Sequence, residues 1–226
     1  MSLRDLSPGS PLPAMRVAPI LRAVAVARAH LLLVLWAICA AVFYLVVPAL
    51  NKMDSLASVS VSVVLWAFAM AAACHAVLWA QTPTLMQCLS ASARAILYTS
   101  GLVFVIMTAS FFGFFLMVIP GLVAMVMLSL SVPITMRERP GFFASFVISV
   151  RLTIRYWGTA LIITLIGGAV MIAAVIAVLI IAAISMQEDL ANSPLYDALL
   201  FGALAVASGV LGSSRLLAIR EVDAGA

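Results

Sequence analysis

The chain has 226 residues, 66% of them hydrophobic and only 9% charged, with a formal net charge of +4 and a mean hydropathy of +1.27. A soluble domain is roughly half apolar and a quarter charged, so water is excluded as the solvent of most of this chain. In lipid only helices and closed barrels can span, and the long apolar runs without dyad alternation select helices. The positive charge forms no Lys/Arg-rich run interleaved with aromatics. That excludes a nucleic-acid surface and points to membrane orientation and anionic headgroups. Cys39, Cys74 and Cys88 are odd in number and unrelated in spacing, which gives no disulfide framework.

In chain order, Arg4, Arg16, Arg22 and Arg28 precede the first apolar run. That lead is too long for the basic region of a signal peptide, so the first run is expected to be an uncleaved span, His30 to Leu50. Asn51-Lys52-Met53-Asp54-Ser55 reads as a polar turn, with Asp54 or Ser55 capping the next helix. Span two is expected from Ala57 to Ala80 and span three from Tyr98 or Gly101 to Val118. Pro120-Gly121 reads as a tight turn with Pro120 opening the following helix. Span four, Leu122 to Met136, is short and carries Pro133 near its end, which predicts a kink or a partial crossing. Span five runs from Gly158 to Ser185. An acidic loop, Gln187 to Leu195, precedes span six, which opens at Ser193-Pro194 and ends near Ser214.

Between spans four and five, Phe143, Phe146, Val147, Val150, Ile154 and Trp157 share one helical face, and Ser145, Ser149, Arg151, Thr153 and Arg155 share the other. This is the pattern of a helix lying flat in the headgroup region. Pro83 to Leu97 has the same frame with Arg94 as its one arginine, and Pro19 to Arg28 is a weaker third version. Pro83/Pro140, Ser92/Ser149, Arg94/Arg151 and Gly101/Gly158 recur 57 residues apart. The fold class expected is therefore an all-α polytopic membrane protein with six transmembrane helices in repeated surface-helix-plus-hairpin units. The whole chain forms one integral membrane domain. Its units are 14–80, 81–137 and 138–217, and its tails are 1–28 and 215–226. With six spans, every basic residue except Lys52 falls on one side, which the positive-inside rule makes cytoplasmic, together with both termini.

Val118 to Ala124 with Pro133, then Glu138 to Gly141, Ser149 to Thr153 and Tyr156-Trp157-Gly158 carry a resemblance. They resemble a loose group of bacterial inner-membrane proteins. The group includes the YciC-like proteins and the membrane domain attached to some glycerophosphodiester phosphodiesterases. The resemblance covers residues 118 to 158. It implies a six-span protein of the bacterial cytoplasmic membrane, and not an enzyme, because in the phosphodiesterases the chemistry belongs to a separate soluble domain.

The candidate sites are few. His75 is the polar residue inside a span, read either as a proton relay or metal ligand, or as a neutral histidine bonded to a neighbouring helix. Adjacent residues point about 100° apart, so Cys74 and His75 do not share a ligand set, and no zinc spacing occurs. No metal and no cofactor are expected. No spanning segment, as bounded above, carries Asp, Glu, Lys or Arg, which argues against ion-coupled transport. Ser60, Ser62, Thr108, Ser110, Ser129 and Ser131 lack the elbow and partners of a nucleophile. Ala198, Gly202, Ala205, Gly209 and Gly212 form a seam of small residues, fit for packing inside the chain or for a homo-oligomer or protein partner. The phenylalanines Phe111, Phe112, Phe114 and Phe115 flank Gly113 and read as lipid-facing bulk. Arg94, Arg151 and Arg155 are candidates for holding anionic lipid headgroups, or for fixing topology alone. These features lead to a non-catalytic accessory or scaffold protein working through helix packing and lipid contact. A passive pore or carrier for a small or lipid-like solute is the alternative.

Overall fold

The computed structural model describes residues 17–50, 52, 55–79, 83–116, 118–158, 160–162, 164 and 194–224. Among them the chain is all-helical: α1 (Val17–Leu50), α2 (Ser55–Leu78), α3 (Leu85–Leu116), α4 (Val118–Leu128), α5 (Ser131–Glu138), α6 (Phe142–Arg155) and α7 (Pro194–Ala224). Among the described residues, five segments are long and apolar enough to cross a bilayer: Ala29–Val46, Ser55–Leu78, Leu85–Phe115, Ile119–Glu138 and Asp197–Ile219. That makes the chain a multi-pass helical membrane protein. The span expected from Gly158 to Ser185 and the acidic loop after it lie outside the described residues, apart from the span's first few positions.

The centre of the bundle is α2. Ala69 to Val77 is buried without interruption, and five of its side chains are alanine. Small residues let neighbouring backbones approach closely, and close van der Waals packing is what holds helices together in lipid. Leu31 and Leu35 of α1 cluster with Ala76 and Ala72, so α1 and α2 are antiparallel. On α7, Phe201 meets the Trp66 ring edge-on and Gly209 packs on Met70 and Ala73, so α7 runs parallel to α2. The end of α2, the start of α3, the end of α5, α6 and the end of α7 therefore gather at one end of the molecule. Arg94, Arg137, Arg139, Arg151 and Arg155 belong to that end, whereas the exposed Lys52 and Asp197 belong to the other.

Four expectations need correction. The stretch Pro83 to Leu97 is not a helix separate from span three: α3 is continuous from Leu85 to Leu116. Residues 85–100 contain no glycine or proline, so nothing interrupts the hydrogen-bond ladder. At 1.5 Å per residue such a helix is about 48 Å long against a hydrocarbon core of about 30 Å, so its first turns lie beyond the core. The Pro19 to Arg28 stretch is likewise part of α1.

Second, Pro120-Gly121 is not the turn. Both residues lie inside α4, and Gly121 packs on α3. A Cβ on Gly113 would sit 2.7 Å from Gly121 Cα, so this hairpin closes backbone on backbone. Phe111, Phe112, Phe114 and Phe115 are all exposed, although the Phe114 ring also lies against Gly121.

Third, α6 presents the opposite of the expected polar face. Ser145, Ser149 and Thr153 are buried against the protein, while Phe143, Val147 and Ile154 are exposed beside Arg151. In lipid, bulky apolar groups need no cover, and the hydroxyls of Ser145 and Ser149 find partners inside. Finally, span six does not stop at Ser214: α7 continues to Ala224, and the candidate span within it contains Arg215.

Candidate functional site

Pro133 sets the local geometry. It has no N–H to give Ser129 O, and its ring crowds that carbonyl, so the helix breaks at Ser129-Leu130. A helix end leaves its last four carbonyls without intrahelical donors, and inside a membrane each such group must be met by protein. All four are met here. Ser129 N donates to Met125 O at 3.1 Å. Val126 O accepts from Ser129 Oγ at 3.0 Å and from Arg215 Nη2 at 3.2 Å. Met127 O accepts from Ser149 Oγ of α6 at 2.6 Å, and Leu128 O accepts from Ser131 Oγ. Arg215 Nη1 also donates to Ser129 Oγ.

Arg215 is only 2% exposed. Its positive charge sits at the carboxyl end of α4, where the helix dipole is negative. The absence of spanning charge expected from the sequence is thus corrected: one guanidinium is buried in the bundle and ties α7 to the break. Ser129 and Ser131, which look like stray hydroxyls in the sequence, are part of the same cap.

The break directs α5 across the bundle. Val132 and Met136 pack with Met70, Cys74, Ala91 and Leu102, and Leu130 and Ile134 pack with Leu216 and Ile219 of α7. Arg139 ends α5 in the left-handed conformation (φ 50°, ψ 46°), with its N–H donating to Thr135 O at 3.1 Å. Gly141 follows at φ 93°, a conformation that suits glycine, and leads into α6. Thr135 Oγ1 and Ser145 Oγ, 2.7 Å apart, share a hydrogen bond that fixes α6 against α5.

These elements enclose a cavity of about 240 Å³ at the arginine end, lined by His75, Arg94, Tyr98, Thr135 and Arg139 together with Ala91, Ala95, Met136 and Gly141. Among the described residues no carboxylate lines it. His75, at the end of α2, lies with its ring centroid 4.6 Å from that of Trp79. Arg94 Nε donates to Ser90 O at 3.2 Å, which braces the guanidinium along its own helix. Two guanidiniums, an imidazole and the tyrosine Tyr98 around a small space make an anion-binding arrangement; Thr135 only shapes the wall, because its proton goes to Ser145 Oγ, which itself donates to Gly141 O at 2.8 Å.

The three arginines read as headgroup candidates fall in different places. Arg94 joins Arg139 and His75 in the cavity. Arg151 is exposed on the outer face of α6, and Arg155 is half-buried with its guanidinium 5.2 Å from the Tyr156 ring centroid. Sequence reasoning used Arg139 only as a topology marker. Its one local signal is its place before Pro140-Gly141, at a junction where the chain must turn.

The small-residue seam is spent inside the chain. Ala198, Gly202, Ala205, Gly209 and Gly212 are all buried. Gly202 packs on Trp36 and Ala40, Gly209 on Met70 and Ala73, and Gly212 on Pro133. Trp36 Nε1 donates to Leu199 O at 3.0 Å in the same interface. A Cβ on Gly209 would lie 2.5 Å from Met70 O, so a larger residue there disrupts the monomer before any partner is involved.

The fold and the cavity define a multi-pass helical membrane protein with a cationic pocket at one end. Comparison with protein-family models, with curated proteins and with solved structures gives no match.

Proposed function

We propose that this chain is a non-catalytic accessory or scaffold protein of a bacterial cytoplasmic membrane. It would cross six times with both termini cytoplasmic and act through helix packing and contact with anionic lipid, in support of a membrane complex. The observation that carries this reading is the collection of arginines at one end of the bundle, with Arg94 and Arg139 lining a cavity that has no carboxylate among its described residues. The positive-inside rule assigns such an end to the cytoplasm, and the anionic leaflet there favours each added arginine by about 1 kcal/mol.

Connectivity supports the sixth crossing. The chain completes α6 at the arginine end and begins α7 at the opposite end, which is what a crossing between them would require. The motif resemblance between residues 118 and 158 points to the same architecture. The repeat reading now leans on the 57-residue recurrence alone, because the first stretch is fused to its span and the second is a discrete helix.

The test is purification of the full chain in mild detergent, followed by reconstitution into nanodiscs of varied anionic content. A scaffold of this kind brings down a protein partner in fixed stoichiometry, and its unfolding temperature rises with the anionic fraction. Purification alone, with stability indifferent to lipid charge, contradicts the reading. Solute efflux from reconstituted vesicles favours a pore instead.

A further inference from the structure

We infer that the cavity between α2, α3, α5 and α6 is a specific site for a single phosphate group, supplied by a lipid headgroup or by a soluble phosphate ester. This rests on the anionic-lipid reading above and deepens it. Generic attraction to a charged leaflet needs only exposed arginines. Arg94 and Arg139 are exposed as Arg151 is, but unlike Arg151 they line a common cavity with His75.

Arg94 of α3 and Arg139, which ends α5, line one space, with His75, Tyr98 and Thr135 on its walls. Guanidinium is the group best matched to phosphate, because its planar fork donates two parallel hydrogen bonds. About 240 Å³ is below the roughly 300–1,000 Å³ of pockets for drug-sized ligands, so the space suits one small charged group.

The walls are fixed before any ligand arrives. The left-handed turn places the Arg139 backbone, the Thr135–Ser145 bond holds α5 to α6, and Ile134 packs α5 on Leu216 and Ile219 of α7. Such preorganisation reduces the ordering cost of binding. The rim favours a lipid as the source. Tyr98 lines the cavity yet is 55% exposed, its neighbour Leu97 is exposed, and Phe143 at the start of α6 is 80% exposed. Apolar side chains at the mouth of a cationic pocket would let acyl chains remain in the bilayer while the phosphate enters.

The experiment is native mass spectrometry of the full chain in detergent, titrated separately with phosphatidic acid, phosphatidylglycerol, diacylglycerol and inorganic phosphate. The expected result is one phosphate-bearing lipid retained per chain and no retained diacylglycerol. Arg94→Gln and Arg139→Gln each weaken retention about fivefold, the equivalent of about 1 kcal/mol at 1.4 kcal/mol per tenfold. Arg137→Gln removes one charge from the same end without touching the cavity and leaves retention unchanged.

Arg94→Lys and Arg139→Lys keep the charge but lose the fork. They give an intermediate loss and serve as the test should a glutamine variant fail to fold. Displacement of the lipid by inorganic phosphate assigns the site to a soluble phosphate ester; resistance to it assigns the site to the headgroup. Retention of anionic lipid that is indifferent to Arg94 and Arg139 overturns the pocket and leaves the general lipid contact standing. Equal retention of phosphatidic acid and diacylglycerol by the unaltered chain overturns both.

Discussion

Pro120 sits in the first turn of α4, where backbone N–H groups have no intrahelical partner, so proline removes nothing there. One helix later, Pro133 falls where the apolar run would otherwise continue, and it breaks the ladder. The two places are repaired by opposite means. Around Pro120 the chain relies on the absence of side chains: Gly113 and Gly121 bring α3 and α4 into backbone contact. Around Pro133 it relies on their presence: Ser129, Ser131, Ser149 and Arg215 supply the missing donors. A membrane helix can thus be redirected either by bringing backbones together or by importing polar groups. Only the second method leaves a charge inside the bundle.

The sharpest way to break the first region is Gly113→Leu. Its Cβ would lie 2.7 Å from Gly121 Cα and N, atoms that cannot move aside as a side chain can. Overpacking costs about 1–3 kcal/mol when side chains can give way, and here the loss is expected at or above the top of that range. Thermal unfolding in detergent checks this, and a stability within error of the parent would show that the hairpin is not closed backbone on backbone.

In the second region, Arg215→Met removes the donor to Val126 O and Ser129 Oγ while keeping much of the apolar stem. A hydrogen bond from a charged donor contributes about 1.5–3 kcal/mol, so a loss of about 2 kcal/mol is expected, read in the same unfolding assay. An unchanged or higher stability would mean that desolvation of the guanidinium outweighs its bonds.

Ser149→Ala removes only the donor to Met127 O, and its effect is expected to be smaller, about 1 kcal/mol, in line with hydrogen bonds between membrane helices. Combined with Arg215→Met it should lose more than the sum, because the two residues cap the same helix end. Strict additivity would mean that the break is not one unit.

The same comparison separates what the sequence makes legible from what it hides. A proline inside an apolar run announces a break, and the kink expected at Pro133 is found at Ser129-Leu130. Small residues at spacings of four and three announce close packing, and the seam from Ala198 to Gly212 is buried throughout. The direction of a polar face is not announced. Ser145, Ser149 and Thr153 have the spacing of a water-facing stripe, and it takes the Met127 carbonyl for Ser149 and the Thr135 hydroxyl for Ser145 to explain why that face turns inward.

Continuity is equally hidden, since a surface stretch and a span share the 3.6-residue period, and 83–97 runs into α3 without a mark. The site itself is a tertiary product. His75, Arg94 and Arg139 are separated by long stretches of chain and meet only because α5 is bent back over the end of α2. Arg215 looked like a tail residue because an apolar run ends near it. What buries it is the neighbouring break, which no local window contains.

The whole account depends on the arginine end being one end, on one side of the membrane. The direct measurement is labelling of intact cells with a membrane-impermeant maleimide, in a chain whose Cys39, Cys74 and Cys88 are replaced by alanine and which carries a single new cysteine. Lys52→Cys and Asp197→Cys are expected to react, while Arg139→Cys and Arg151→Cys react only after the membrane is permeabilised. Reaction of Arg151→Cys and Lys52→Cys from the same side would contradict the arrangement.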